Sequence, residues 1–226
     1  MTDYVLVVGG SGGIGTVLCH ELAVTGFLPI ASYRNNREAA AAATKDNDGF
    51  ALHLDLTDAN SIASAAGEIA EKSSLAGVIL AASTGISLQR LSQVEPNTLR
   101  EHLEVQVVGQ HQLLSHLIRS SFRRAKSGTV IGLLSGAMGL ESGEATNSMG
   151  PYVVAKYGLL GLLRATAADY PWLNVGSIPL GFTDTPLLRE TFDERFLASA
   201  THAGQINSPE DAAITVVRMF QDIHGT

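Results

Sequence analysis

The alternation of short apolar runs with longer stretches of helical spacing is the feature that most constrains the fold of this chain. The apolar runs occupy residues 4–8, 28–33, 50–54, 77–81, 128–134 and 173–178. Each run is too short for a stable helix, and the segments between the runs carry apolar residues three and four positions apart. Strands that are apolar throughout indicate a parallel sheet covered on both faces, with right-handed helical crossovers. The sequence therefore predicts one α/β domain, residues 1–226, built on a doubly wound parallel sheet.

Composition restricts the classes of partner. The 226 residues are 45% hydrophobic and 16% charged, and the net charge of −7 with no long basic run argues against nucleic-acid binding. No apolar run approaches the ~20 residues that a bilayer crossing requires, and the strand pattern beginning at Tyr4 leaves no room for a signal peptide. The single cysteine, Cys19, excludes an internal disulfide, and the seven histidines lack metal-ligand spacing. We therefore expect a cytoplasmic protein with no metal site, no membrane partner and no nucleic-acid partner.

A glycine-rich turn follows the first strand. It reads Gly-Gly-Ser-Gly-Gly-Ile-Gly over residues 9–15, and a helical pattern over 16–25 comes next. Glycines let the backbone turn tightly and approach a pyrophosphate, while the helix presents unpaired N–H groups and the positive end of its dipole. A plain strand-to-helix turn is the alternative for such a string. Its position in the first strand–helix unit favours a dinucleotide site.

This turn resembles that of the short-chain dehydrogenase/reductase family. The family pattern T-G-x-x-x-G-I-G aligns with residues 8–15, with Val8 in place of the threonine. The resemblance implies a Rossmann-like fold, a nicotinamide cofactor and an oxidoreductase activity. The residues that it assigns to the cofactor cradle are Gly9, Ser11, Gly12, Gly13, Ile14 and Gly15.

The residues after the second and third strands indicate which nicotinamide cofactor binds. Members of the family that use NAD usually end the second strand with a carboxylate, whereas this chain has Tyr33-Arg34-Asn35. Arg34 is suited to pair with a 2′-phosphate, although a solvated arginine at a helix start is the alternative. After the third strand, Asp55 and Leu56 resemble the family's adenine-contacting pair. We expect NADPH.

Tyr152 and Lys156 carry the family's Y-x-x-x-K spacing, which places both side chains on one face of a helix. A nearby ammonium is expected to lower the pKa of the phenol, so that Tyr152 exchanges a proton with the substrate oxygen. The resemblance also brings both residues into contact with the cofactor. It places Ser135, at the end of the fifth strand, where it polarises the substrate carbonyl. Ser135 precedes Tyr152 by 17 positions, about four more than is usual, so Ser142 and Ser148 stay open as alternatives.

Two family positions differ in this chain. Gln106 stands where the family has an asparagine that kinks the fourth helix and anchors a proton-relay water. Ala82-Ser83-Thr84 replaces the family's N-N-A after the fourth strand, and we expect the two hydroxyl groups to take over the amide contacts. These changes leave open a cofactor-binding regulatory or partner subunit with little turnover.

The segment after the sixth strand resembles the family's P-G-x-x-x-T, with the proline displaced by one. On this alignment Ile178 and Thr185 contact the carboxamide end of the nicotinamide. The resemblance runs from residue 4 to about 220 and does not include the family's final strand. Family members pair through helices that correspond to 95–122 and 151–169, so a homodimer or homotetramer is expected, with the dimer favoured.

The resemblance is greatest to 3-oxoacyl-(acyl-carrier-protein) reductases. It implies NADPH-dependent reduction of a ketone on a 3-oxoacyl thioester, with reduction of another small ketone or a sugar as the alternative. Two interpretations of a basic cluster stay open. It is either a docking patch for an acidic acyl carrier protein or a set of charges that interact favourably with the dipole at a helix C-terminus. The cluster comprises Arg119, Arg123, Arg124 and Lys126.

Overall fold

In a computed structural model that describes residues 3–72 and 74–225, six parallel strands form the main sheet in the order β3-β2-β1-β4-β5-β6. The strands are β1 (Tyr4–Val8), β2 (Leu28–Tyr33), β3 (Phe50–His53), β4 (Leu75–Leu80), β5 (Thr129–Ser135) and β6 (Asn174–Leu180). Every predicted strand is present, and the order is that of a doubly wound sheet whose strand order reverses between β1 and β4. Ligands of such sheets bind at this reversal, outside the carboxyl ends of the strands.

Helices cover both faces of the sheet. The first half contains α1 (Gly13–Val24), α2 (Arg37–Thr44), α3 (Ala59–Lys72), α4 (Pro96–Leu103) and α5 (Gly109–Leu117). The second half contains α6 (Arg123–Ala125), α7 (Gly150–Asp169), α8 (Pro186–Thr191), α9 (Glu194–His202) and α10 (Pro209–His224). A short parallel pair, β7 (Phe182–Thr183) with β8 (Ile206–Asn207), ties the segment after β6 to the start of α10. None of the helices in residues 3–72 and 74–225 has the length and apolar character to cross a membrane.

Two buried apolar layers hold the helices to the sheet. One face packs Leu18, Leu22 and Phe220 of α1 and α10 against the strands, and Cys19 lies within this layer. The other face packs α3, α5 and α7 through residues such as Ile62 and Leu159. At ~25 cal/mol per Å² of buried apolar surface, these two layers are the main source of stability. These layers hold the carboxyl ends of the strands together at one edge of the sheet.

The helical segment between β4 and β5 is interrupted twice by π-helical turns. The first covers Glu104–Val108 and joins α4 to α5, and the second covers Ile118–Phe122 and joins α5 to α6. A π turn inserts a residue into the helical ladder, shifts its hydrogen bonds by one and is frequently found at functional sites. The kink that the family resemblance implies at Gln106 therefore takes the form of a π turn around this residue.

Candidate active site

The glycine-rich turn forms a backbone cradle at the carboxyl end of β1. Gly9 has a φ of +85°, a conformation that disfavours any side chain, and a Cβ there would lie 2.9 Å from the Ala82 Cα. A Cβ on Gly15 would overlap the Gly9 carbonyl oxygen. Ser32 of β2 holds the turn, because its Oγ accepts a hydrogen bond from the Gly9 N–H at 2.9 Å and its carbonyl accepts one from Ser11 at 3.1 Å. The cradle is thus closed to side chains but open to a ligand.

The N-terminus of α1 points into this cradle. Gly12 occupies the N-cap and has no side chain that could satisfy the first N–H groups of the helix. These groups and the helix dipole are suited to bind a pyrophosphate. A cleft of about 620 Å³ opens over them. Apart from Tyr152 and Lys156, which line the neighbouring cavity, every position predicted to bind the cofactor except Ile178 lines this cleft. These positions are Gly9, Ser11, Gly12, Gly13, Ile14, Gly15, Arg34, Asp55, Leu56, Ala82, Ser83, Thr84 and Thr185.

Ile178, which was predicted to contact the cofactor, is not among the residues that line the cleft. It lies in the middle of β6 and packs against the apolar layer of α1 and α10, outside the cleft. The residues that reach the site from this segment follow it in sequence: Leu180, Gly181 and Thr183 line a small cavity beside the cleft. The displaced proline makes the alignment of this segment ambiguous, and Thr183, two positions before Thr185, is the residue buried at the site.

The adenosine end of the cleft carries a cation and no carboxylate at the end of β2. Arg34 is exposed and lines the cleft together with Ser32 and Asn36. On the facing segment, the Asp55 carboxylate accepts hydrogen bonds from the backbone N–H and the hydroxyl of Thr57 at 2.9 and 2.8 Å. The Thr57 hydrogen bonds hold the pKa of Asp55 below its ordinary value, and the Arg34 charge acts in the same direction. Asp55 is therefore charged at neutral pH.

Ser135, Tyr152 and Lys156 meet in a cavity of about 120 Å³ beside the cleft. Ser135 ends β5, and its Oγ accepts a hydrogen bond from the Ala137 N–H at 3.2 Å, which fixes its orientation. Lys156 is buried on α7 and donates a hydrogen bond to the Leu133 carbonyl at 2.8 Å. Its Nζ lies 5.6 Å from the centre of the Tyr152 ring. The structure therefore brings together the three side chains that the sequence indicated.

Protonation in this cavity differs from the sequence-based expectation. Burial raises the pKa of Tyr152 above its ordinary value, and a hydrogen bond with Ser135 opposes this effect only in part. Burial also lowers the pKa of the Lys156 ammonium to about 8, and its presence 5.6 Å from the ring centre does not bring the pKa of the phenol below its ordinary value. The phenol therefore keeps its proton at neutral pH. This is the form that a proton donor needs.

The long loop between Ser135 and Tyr152 folds back on itself and so absorbs its extra length. Gly139 has a φ of +66°, and its carbonyl accepts a hydrogen bond from Gly143 at 2.8 Å. The loop then returns through a hydrogen bond from the Thr146 N–H to the Ala137 carbonyl at 2.8 Å. The alternative serines are engaged elsewhere: Ser142 contacts the backbone of Glu144, and Ser148 donates to its neighbour Asn147. Neither lines the cavity.

A buried histidine beside the site was missed by sequence reasoning. The Nδ1 atom of His102 lies 2.7 Å from the Thr84 hydroxyl and 3.3 Å from the amide nitrogen of Gln106. The His102 ring also stands edge-on to the Tyr152 ring, with the centroids 6.3 Å apart. A lone histidine carries no sequence signal for such a role. Only its four-residue spacing from Gln106 on a helix could have indicated it.

The basic cluster lies near the end of β5 that is opposite to this site. Arg123 and Arg124 belong to α6, and Lys126 follows it just before β5 begins. This is the amino end of β5, whereas Ser135 is at the carboxyl end. The position agrees with the helix C-terminus explanation of these charges.

Comparison with known proteins decides the family. Residues 3–195 match the model of the short chain dehydrogenase family. The chain belongs to this family. It is 26% identical to 2,5-dichloro-2,5-cyclohexadiene-1,4-diol dehydrogenase of Sphingobium indicum, over 96% of this chain and 89% of the relative. It is also 26% identical to a 3-oxoacyl-(acyl-carrier-protein) reductase of Staphylococcus aureus, over 98% of this chain and 92% of the relative.

A solved structure shows the same fold. The structure described as ribose-5-phosphate isomerase from Brucella melitensis superimposes with a TM-score of 0.87 at 20% identity, covering 100% of this chain and 88% of that one. As a short chain dehydrogenase, the chain is an oxidoreductase that binds a nicotinamide dinucleotide. The observed cradle fits this group, because Gly9 and Gly15 leave no space for side chains and the N-terminus of α1 faces the cleft.

Proposed function

We propose that this oxidoreductase uses NADPH to reduce a ketone to a secondary alcohol. The observation that carries the proposal is the junction of the two spaces: Ile14, Ser83 and Thr185 line both the glycine cleft and the cavity that holds Ser135, Tyr152 and Lys156. A substrate carbonyl in the cavity would therefore lie beside the nicotinamide end of the cleft. The bound cofactor supplies a hydride to the carbonyl carbon.

Each of the three side chains has a distinct task in this reaction. The Ser135 hydroxyl donates a hydrogen bond to the ketone oxygen and so polarises the carbonyl. Tyr152 carries the proton that the oxygen receives as the carbonyl is reduced. Lys156 is held by the Leu133 carbonyl below the phenol, where its charge stabilises the phenolate that proton transfer leaves behind. Burial keeps the phenol protonated in the free site, which is the form that donates the proton in a reduction.

Arg34 supports the choice of NADPH. It faces the cleft at the position where a carboxylate would repel a 2′-phosphate, and β2 ends without any such group. Arginine binds phosphate through charge-assisted hydrogen bonds.

For the substrate, we propose a 3-oxoacyl thioester. The walls of the cavity are mostly apolar, with Ile86, Met149, Leu188 and Phe192 around the polar groups. An apolar lining of this kind around a few polar groups suits an acyl chain. The relative from Staphylococcus aureus is a 3-oxoacyl reductase, which supports the same substrate class.

The test is NADPH oxidation, followed by absorbance, with acetoacetyl-CoA beside free ketones, keto sugars and the reverse reaction on cyclic diols. We expect the thioester to give the highest kcat/KM. Brisk turnover of a free ketone, a sugar or a diol without thioester turnover would refute the thioester assignment. Tight NADPH binding with no turnover across the panel would show a cofactor-binding regulatory protein instead.

We also propose a homodimer that pairs through the π turn after α4 and through α7. Val108 is 40% exposed, and Val154 and Tyr157 are each 45% exposed, so three large apolar side chains face outward on neighbouring elements. Burial of such side chains between two copies would remove apolar surface from water.

A further inference from the structure

A row of buried polar side chains runs along the helical segment behind the active site. His102, Gln106 and Gln110 follow each other at four-residue spacing and are 3%, 0% and 0% exposed. Within residues 3–72 and 74–225, the buried side-chain atoms that lack a hydrogen-bond partner are Gln106 Oε1 and both amide atoms of Gln110. Buried polar groups cost free energy unless they are paired, so such a row beside an active site requires an explanation.

His102 is the member of this row that reaches the active site. Its Nδ1 lies 2.7 Å from the Thr84 hydroxyl, which can donate or accept, and 3.3 Å from the Gln106 amide nitrogen. An amide nitrogen can only donate, so with Gln106 in this orientation Nδ1 is the acceptor and the ring proton resides on Nε2. This arrangement favours a neutral imidazole. Burial favours the same form, because it lowers the pKa of His102 below its ordinary value, while Glu101 acts in the opposite direction.

The surroundings of His102 connect three parts of the site. Thr84 belongs to the loop after β4 that lines the cofactor cleft, and Gln106 lies at the centre of the π turn. From α7, Tyr152 meets the imidazole edge-on at 6.3 Å. The titratable groups near the ring are Glu101 on its own helix, Glu190 of α8 across a shared cleft, and Tyr152 and Lys156 of α7.

We propose that His102, as a neutral imidazole, is a positioning residue for ketone reduction that links the Thr84 loop to the π turn and sets the position of the Tyr152 ring. Where the family has asparagine amides in the loop after β4, this chain has Ser83 and Thr84. The contact between the Thr84 hydroxyl and the His102 imidazole thus holds this loop. The inference rests on the proposed function, because its kinetic consequence is seen in the reduction. Protonation of Nδ1 at low pH would make it a donor that faces the donating amide nitrogen of Gln106, and the contact with the π turn would be lost.

The kinetic test compares two variants of His102 with a matched surface histidine. His102→Phe keeps a ring against Tyr152 but removes the acceptor, whereas His102→Gln keeps an acceptor that does not titrate. His111→Gln, on an exposed position of α5, is the control. Circular dichroism first confirms that each variant is folded.

We expect kcat of His102→Phe to fall roughly ten- to hundredfold at neutral pH, since small misplacement of reacting groups costs rate on this scale. The KM for the ketone and the Kd for NADPH should change less than about threefold. In the wild type, kcat should decline at low pH as His102 becomes protonated. Both His102 variants should lose this acid limb, and His111→Gln should keep it. Wild-type kcat in His102→Phe, or an unchanged acid limb, would overturn the proposal.

A second measurement does not depend on turnover. The chemical shift of His102 Cε1, followed by NMR against pH, reports the titration of the ring directly. The Thr84 hydroxyl stabilises the neutral form, so Thr84→Val should raise the pKa of His102 toward its ordinary value. An unchanged titration in Thr84→Val would contradict the link even if the wild type reduces ketones. If instead the wild type reduces no ketone but the titration shifts as expected, the proposed function fails while the link between Thr84 and His102 stands.

Discussion

Arg34 offers a quantitative test of cofactor choice, because it is the cation of the cleft at the end of β2. A hydrogen bond to a charged group contributes ~1.5–3 kcal/mol when it is sheltered from solvent. Arg34 is exposed, so solvent screening reduces the expected free-energy contribution of its hydrogen bond to about 1.4 kcal/mol, just below this range. Since ~1.4 kcal/mol corresponds to a factor of ten in Kd, Arg34→Ala should raise the Kd for NADPH roughly tenfold.

The assay is a fluorescence titration with NADPH and with NADH, at low and high salt. NADH lacks the 2′-phosphate, so its Kd should change less than about twofold in Arg34→Ala. The tenfold loss for NADPH should shrink as salt rises, because exposed charges are screened within ~10 Å at 0.1 M. Arg37→Ala is the matched control, since Arg37 is also exposed but begins α2 outside the cleft. Equal losses for the two cofactors would refute the phosphate contact.

Three other features give simple tests. Gly15→Ala should abolish NADPH binding in a fluorescence titration, because the new Cβ would overlap the Gly9 carbonyl oxygen. The control, Gly67→Ala at an open position of α3, should keep NADPH binding and raise Tm. Val154→Glu should convert a dimer to a monomer in light scattering; a monomeric wild type would contradict the pairing. Burial raises the pKa of Cys19 to about 12, so a thiol reagent at pH 8 should label the denatured chain but not the native one.

The sequence was sufficient to predict the sheet, because apolar strands and helical spacing are local signals. The predicted runs 28–33 and 128–134 lie within one residue of β2 and β5 at each end. The glycine turn was equally clear, since backbone geometry at Gly9 and Gly15 admits almost no other residue.

The rest of the site depends on contacts that have no local signal. The Thr84–His102 contact joins residues 18 positions apart, and no residue type marks the π turn in the sequence. The pKa of Tyr152 was expected to fall, yet burial raises it, because desolvation depends on the packed cavity and not on the neighbouring lysine alone. A single displaced proline made the alignment after β6 ambiguous, and it is Thr183 rather than Ile178 that lines the cavity.

Tyr152→Phe is the most direct test of the proposal that a buried, protonated phenol donates the proton to a ketone. The variant removes one oxygen atom and keeps the ring against His102 and Lys156. Single-turnover reduction and NADPH titration are measured on the same preparation. We expect the reduction rate to fall by a factor of ~10² to 10⁴, the usual contribution of a general acid, while the Kd for NADPH stays within about threefold. A variant that reduces the ketone at the wild-type rate would contradict the account.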